Sequence, residues 1–116
     1  MADNTHRRQE RREHPRLKLR VPFELRVEGS EMPIRGATSD LSLGGCYIET
    51  IFPLPLNATV ELILQIGGTV IVVGKVVTCD PNVGNGIGFT RLLPEDREEL
   101  RLYLEAATVT TDGTSE

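Results

Sequence analysis

The feature that most constrains the fold is a strict alternation of apolar and polar residues after a charged N-terminal segment. Apolar side chains occupy every second position, at Leu17, Leu19, Val21, Phe23, Leu25 and Val27. A period of two places these side chains on one face of an extended chain, so the segment predicts a half-buried strand. Pro22 falls on the polar face and has no N–H to donate, so we expect an edge or a bulge there.

Further short segments with β-strand character follow at regular intervals. They predict strands over residues 32–38, 46–50, 60–66, 69–78 and 86–89. Gly67-Gly68 is typical of a hairpin turn, and Pro94 suits the first position of a helix whose apolar residues share one face. The fold class predicted is mainly all-β: a small antiparallel barrel of five or six strands with one C-terminal helix packed on it.

The strand over residues 69–78 carries apolar residues on parts of both faces. A single-layer barrel buries only one face, so the second face needs a cover. The candidates are the C-terminal helix and a second subunit.

Length and composition bound the class of protein. A chain of 116 residues suits one domain, and we predict a flexible basic arm at 1–10, the domain at 11–107 and a disordered tail at 108–116. The sequence has no signal-peptide core and no apolar run long enough to span a membrane. Its two cysteines lack metal-site spacing. These observations predict a cytoplasmic protein with reduced thiols.

Charge is distributed unevenly along the chain. The net charge is −4, but residues 1–20 carry seven Lys and Arg against three Asp and Glu, which leaves −8 on the remaining 96 residues. A basic segment on an acidic body does not match a general DNA-binding domain, which is usually basic throughout. Because aromatic residues are also scarce, a stacking platform for single-stranded nucleic acid is not predicted. The pattern favours a local anion site.

The basic segment is built almost entirely from arginine, at positions 7, 8, 11, 12 and 16. One interpretation is a solvated charged tail, which is what most short charge runs are. The other uses the planar guanidinium, which pairs bidentately with phosphate and with the O6/N7 edge of guanine. Exclusive use of arginine over residues 1–17 favours recognition.

A second polar segment lies at Asp40-Leu41-Ser42-Leu43-Gly44-Gly45. Asp, Ser and Gly are common in turns, so an ordinary turn explains it when it is taken alone. The functional interpretation is that Asp40 accepts hydrogen bonds from N–H groups of a ligand and that Ser42 hydrogen-bonds a polar edge of the ligand. Gly45 would allow the ligand to approach the backbone closely. Tyr47 and Glu49 are predicted to face outward nearby.

The two segments together resemble the PilZ domain, a bacterial receptor module for cyclic di-GMP. Arg12 and Arg16 form R-x-x-x-R, and Asp40, Ser42 and Gly45 form D-x-S-x-x-G, 24 residues after Arg16. The resemblance covers residues 11–107, and Gly86-x-Gly88-Phe89 is similar to the last strand of the family.

The resemblance implies a six-stranded antiparallel barrel with a C-terminal helix. It also implies that Arg12 and Arg16 contact phosphates and guanines of cyclic di-GMP, with Asp40, Ser42 and Gly45 on the opposite side. In the family, an arginine at the position of Arg11 accompanies an intercalated pair of ligand molecules; tail charge is the alternative for this residue. Arg7 and Arg8 lie four residues before Arg11 and Arg12, so the R-x-x-x-R motif could also be placed on these earlier arginines. The predicted ligand-binding set is Arg8, Arg11, Arg12, Arg16, Asp40, Ser42, Gly44 and Gly45.

The function predicted is a cyclic di-GMP receptor that changes the conformation of its arm and signals to a downstream protein, as a monomer or weak homodimer. The alternative is a structural or protein-interaction barrel without a ligand. No nucleophile–base pair, metal-ligand cluster or phosphate-binding glycine loop is present in the sequence. We therefore predict no enzyme activity, no cofactor or metal, and no nucleic-acid partner.

Overall fold

The structure, a computed structural model, describes residues 16–115, with side chains as far as Thr108. Within this part of the chain the elements are β1 (Pro22–Val27), β2 (Ile34–Leu41), β3 (Gly45–Ile48), β4 (Thr59–Gln65), β5 (Thr69–Asp80), β6 (Gly84–Leu92) and the helix α1 (Pro94–Ser115). The strands form a closed barrel in the order β1-β2-β3-β6-β5-β4, and every pair is antiparallel. The predicted six-stranded barrel with a C-terminal helix is confirmed.

The barrel interior is aliphatic and follows the alternation of the sequence. In the first strand region Val21, Phe23 and Leu25 are buried, whereas Lys18, Arg20 and Pro22 are exposed. The same pattern in β4 buries Val60, Leu62 and Leu64. Because the barrel closes, each strand has a neighbour on both sides and the sheet has no free edge.

The segment before β1 is attached to β2 rather than forming a continuous strand from Leu17. Leu17 makes an isolated bridge to Leu41, and the regular strand begins only at Pro22. The lack of an N–H at Pro22 fits this interruption. The predicted bulge or edge thus takes the form of a break between Leu17 and the start of β1.

Thr38 is a buried hydroxyl that fastens this segment. Its Oγ1 accepts a hydrogen bond from the Val21 N–H at 3.0 Å and donates to the Leu19 carbonyl at 2.6 Å. The Thr38 N–H also donates to the Val21 carbonyl at 2.9 Å. One side chain therefore satisfies two backbone groups that have no strand partner, and holds the chain where it approaches Arg16.

We expect Thr38→Val to destabilise the protein by about 2 kcal/mol, because the isosteric side chain leaves a buried N–H and a buried carbonyl without a partner. Urea unfolding measures the free-energy change. Thr38→Ser, which keeps the hydroxyl, serves as the control and should lose less. Equal stability of the valine variant and the wild type would contradict the role of this hydroxyl.

The helix covers only part of the second face of β5. It begins at Pro94 as predicted, buries Leu100 and packs Tyr103 and Leu104 against the core. Ile71 and Val77 of β5 remain 46% and 56% exposed. The sequence predicted a disordered tail from Thr108, but the structure continues the helix to Ser115. The Thr108 hydroxyl bonds the Leu104 carbonyl one turn back, and no proline follows to end the helix.

Among the described residues, no helix has both the length and the apolar character needed to cross a bilayer.

Candidate functional site

The two segments singled out in the sequence meet where the chain first contacts β2. Leu17 and Leu41 exchange two backbone hydrogen bonds of 2.9 Å each. This bridge sets Arg16 beside Asp40, with 3.5 Å between Arg16 Nη1 and Asp40 Oδ1. The Arg16 side chain is 50% exposed and that of Asp40 is 27% exposed, so both charges are open to a ligand.

A β-bulge in β2 directs Asp40 to the outer face of the barrel. Thr38 pairs with Ile48, and Asp40 pairs with Tyr47, so β2 contains one more residue than β3 between these pairs. Thr38 is buried, and unbroken alternation would direct Asp40 inward as well. The extra residue, Ser39, reverses this orientation, as bulges near functional sites commonly do.

The turn between β2 and β3 is shorter than the sequence predicted. Asp40 and Leu41 belong to β2 and Gly45 begins β3, which leaves only residues 42–44 in the turn. The buried Ser42 hydroxyl accepts hydrogen bonds from the Gly44 and Gly45 N–H groups, both at 3.1 Å, and donates to the Gly45 carbonyl at 3.2 Å. The hydroxyl is therefore fully used in shaping the turn.

The two glycines of the turn bring it against β6. A Cβ on Gly45 would lie 2.5 Å from the Ile87 carbonyl oxygen, so only glycine permits this pairing of β3 with β6. The Gly44 carbonyl accepts a hydrogen bond from the Phe89 N–H at 2.9 Å. The close approach that Gly45 allows is thus first of all an approach of β6, and contact of this residue with a ligand stays a prediction.

Tyr47 lies on the outer face next to Asp40, as the sequence predicted. Its hydroxyl donates to Asp80 Oδ2 at 2.7 Å. This hydrogen bond is the main cause that raises the pKa of Tyr47 to about 12. The phenol therefore remains protonated and keeps donating at neutral pH.

Cys46 points into the barrel from the same strand. Burial, assisted by the negative charge of Asp40, raises the pKa of its thiol to about 12. A thiol with this pKa is protonated at neutral pH and is a poor nucleophile. Cys46 therefore acts as a small core residue beside the site.

A cleft of about 390 Å³ lies on the other side of the turn. It is lined by Leu43, Gly44, Phe89, Thr90, Arg91, Leu92 and Arg97. Neither arginine pairs with a carboxylate within the described residues. The cleft adds positive charge close to Gly44.

Of the predicted set, the structure brings together Arg16, Asp40, Ser42, Gly44 and Gly45. Arg8, Arg11 and Arg12 lie outside the described residues. The sequence reasoning missed Thr38, the tether from Asp80 to Tyr47, and the two arginines of the cleft. A buried threonine among β-branched neighbours carries no distinguishing sequence signal, and the other contacts join residues far apart in the chain. In the described part of the chain, no group of three His, Cys, Asp or Glu residues is placed to hold a metal ion.

Comparison with known proteins gives a consistent assignment. The family model described as PilZ domain matches residues 10–106. The Bacillus subtilis inhibitor of motility (MotI/DgrA) has a TM-score of 0.74 at 15% identity, with 86% of this chain and 52% of that chain covered. This chain thus spans about half the length of that protein. The PilZ domain of CeSA from a cellulose-synthesizing bacterium has a TM-score of 0.64 at 21% identity, with 80% and 98% covered. Both structures share the fold, and no curated protein matches.

Proposed function

The chain belongs to the PilZ domain family, and we propose that it is a receptor for cyclic di-GMP. PilZ domains are binding and adaptor domains, and the family is known as a receptor domain for cyclic di-GMP. That ligand presents two phosphates and two guanines. A guanidinium fits both the phosphates and the guanine O6/N7 edge, whereas a carboxylate fits the guanine N–H donors.

The observation that carries this proposal is the juxtaposition of Arg16 and Asp40. The two residues are 24 positions apart, yet their side chains lie 3.5 Å from one another on the barrel surface. An exposed ion pair of this kind contributes only about 0–1 kcal/mol, so a ligand can replace it at little cost. Arg16 is then free to bind phosphate or the O6/N7 edge, and Asp40 to accept guanine N–H groups.

The remaining motif residues have distinct roles in the proposal. Arg12, with Arg8 and Arg11, supplies further guanidinium groups from the segment that precedes Arg16. Ser42 acts as a positioning residue, because its hydroxyl is committed to the N–H groups of Gly44 and Gly45. We propose that ligand binding changes the conformation of the N-terminal segment and that a downstream protein reads this change.

Calorimetric titration of the wild-type chain with cyclic di-GMP is the direct test. We expect binding in the micromolar range or tighter, and the number of ligands per chain distinguishes a single molecule from an intercalated pair. Cyclic di-AMP is the matched control, since adenine lacks the O6 acceptor and the N1–H donor of guanine. Absence of heat with cyclic di-GMP at micromolar concentrations would contradict the proposal.

One observation favours a second candidate function, a protein-interaction barrel without a ligand. Ile71 and Val77 leave apolar surface exposed on β5, which the helix covers only in part. A second copy of the chain is the occupant that this surface would fit. Light scattering with and without nucleotide separates the two functions, because a dimer indifferent to the nucleotide supports the second.

A further inference from the structure

Tyr47 places an aromatic ring on the outer face beside Asp40. Tyr47 pairs directly with Asp40 on β2 and with Gly86 on β6. Directly opposite residues of antiparallel strands share a face, with their Cβ atoms about 5 Å apart. The ring therefore starts next to the carboxylate that receives the guanine N–H groups in the proposed function.

The Tyr47 ring is held at both ends. Its Cβ is fixed by β3, and its hydroxyl donates to Asp80 Oδ2 at 2.7 Å. The ring lies against Gly84, where an added Cβ would meet Tyr47 Cε2 at 2.5 Å. Because the ring is placed before any ligand arrives, little side-chain entropy remains to be lost on binding.

The glycines of β6 provide the space that the Tyr47 ring occupies. Gly86, opposite Tyr47, has no side chain, and Thr78 pairs with Gly86 on its far side. Across this stretch of the outer face, β6 therefore puts no side chain between Tyr47 and Thr78. The ring lies over this glycine stretch and reaches Asp80 on β5. One of its faces therefore rests on the backbone of β6, and a planar base bound at Asp40 would meet the other face.

We propose that Tyr47 is a further ligand-binding residue that stacks on the purine base whose N–H edge is bound by Asp40, and that Asp80 is the positioning residue for its ring. This inference rests on the proposed function and names an additional contact of the same site. Stacking of a base on an aromatic side chain is sequence-tolerant, and its loss weakens binding roughly fivefold to 100-fold. Tyr47 supplies affinity for a flat purine, and Asp40 supplies the choice of guanine.

Calorimetry with cyclic di-GMP tests the contribution of the ring. Tyr47→Leu should bind about tenfold more weakly than wild type, and Tyr47→Phe, which keeps the ring, should stay within about threefold. Asp80→Ala, which frees the ring but leaves it present, should fall between the two. Equal affinity of Tyr47→Leu and wild type would overturn the inference and leave the proposed function intact, whereas a wild type that does not bind would overturn both.

Proton NMR on the wild-type protein detects stacking directly, because a purely structural role of Tyr47 would not change the chemical shifts of its ring on ligand binding. On titration with cyclic di-GMP, the guanine H8 and the Tyr47 ring protons should shift upfield together. Tyr103 is the matched internal control, since it is the other tyrosine of the chain and packs against the core. Unchanged Tyr47 ring signals at saturating ligand would overturn the inference even if the Tyr47→Leu variant failed to fold.

Discussion

Replacing Asp40 with alanine is expected to weaken cyclic di-GMP binding about tenfold or more, while the barrel stays folded. The carboxylate is the acceptor proposed for guanine N–H donors, and a hydrogen bond to a charged group contributes about 1.5–3 kcal/mol. Its loss corresponds to roughly tenfold to 100-fold in affinity. The folded state loses only an exposed ion pair to Arg16, which costs about 0–1 kcal/mol.

Glu24 offers a matched control for this substitution. It is a strand carboxylate with the same 27% side-chain exposure as Asp40, and it also pairs with arginine, at 3.4 Å from both Arg26 and Arg35. Glu24 lies on β1, away from the turn, so Glu24→Ala should leave the affinity unchanged. Calorimetry on both variants measures the difference. Wild-type affinity in Asp40→Ala would remove the central contact of the proposed site.

The strands were predictable because burial imposes a local pattern. Each strand of the barrel needs one apolar face toward the interior. The alternation of apolar and polar residues from Leu17 to Val27 shows this face directly in the sequence. Pro94 marked the start of α1 for an equally local reason, since proline suits the first helical position and destabilises the interior of a helix. Such signals need no knowledge of the neighbouring strands.

The orientation of Asp40 was not predictable in this way. It depends on the bulge at Ser39, which exists only because β2 and β3 pair with a register shift. The same holds for the start of β6, which the sequence placed at Gly86 and the structure places at Gly84. A run rich in glycine predicts a loop. In the structure Gly84 belongs to β6, where glycine is needed because β3 passes too close for a side chain.

The attachment of the segment before β1 could not be predicted from the sequence for a related reason. Thr38 satisfies the backbone of residues 19–21 from a position 17 residues further along the chain. Nothing local distinguishes it from the other threonines of the strands. The sequence thus singled out the charged residues that are proposed for the site, and the sheet pairings determine how Arg16 and Asp40 come to face one another.

A large loss of stability is expected from Gly45→Ala. The added Cβ would sit 2.5 Å from the Ile87 carbonyl oxygen, well inside the closest distance of real Cβ contacts. The obstacle is backbone, so β3 must move away from β6. Overpacking of this kind costs about 3 kcal/mol, a large share of the roughly 5–15 kcal/mol that stabilises a domain. Urea unfolding should show the midpoint fall accordingly.

Gly67→Ala is a comparison in which backbone strain acts without a close contact. A Cβ on Gly67 meets nothing within 4 Å, but its φ of 99° strains any other residue, at a cost of roughly 1–2 kcal/mol. If Gly45→Ala loses less than about 1 kcal/mol, the low end of the cost of overpacking, the close contact with Ile87 is not what requires the glycine. If it loses more, and ligand binding falls with it, the last glycine of D-x-S-x-x-G holds the turn on β6, and Asp40 depends on that turn for its position.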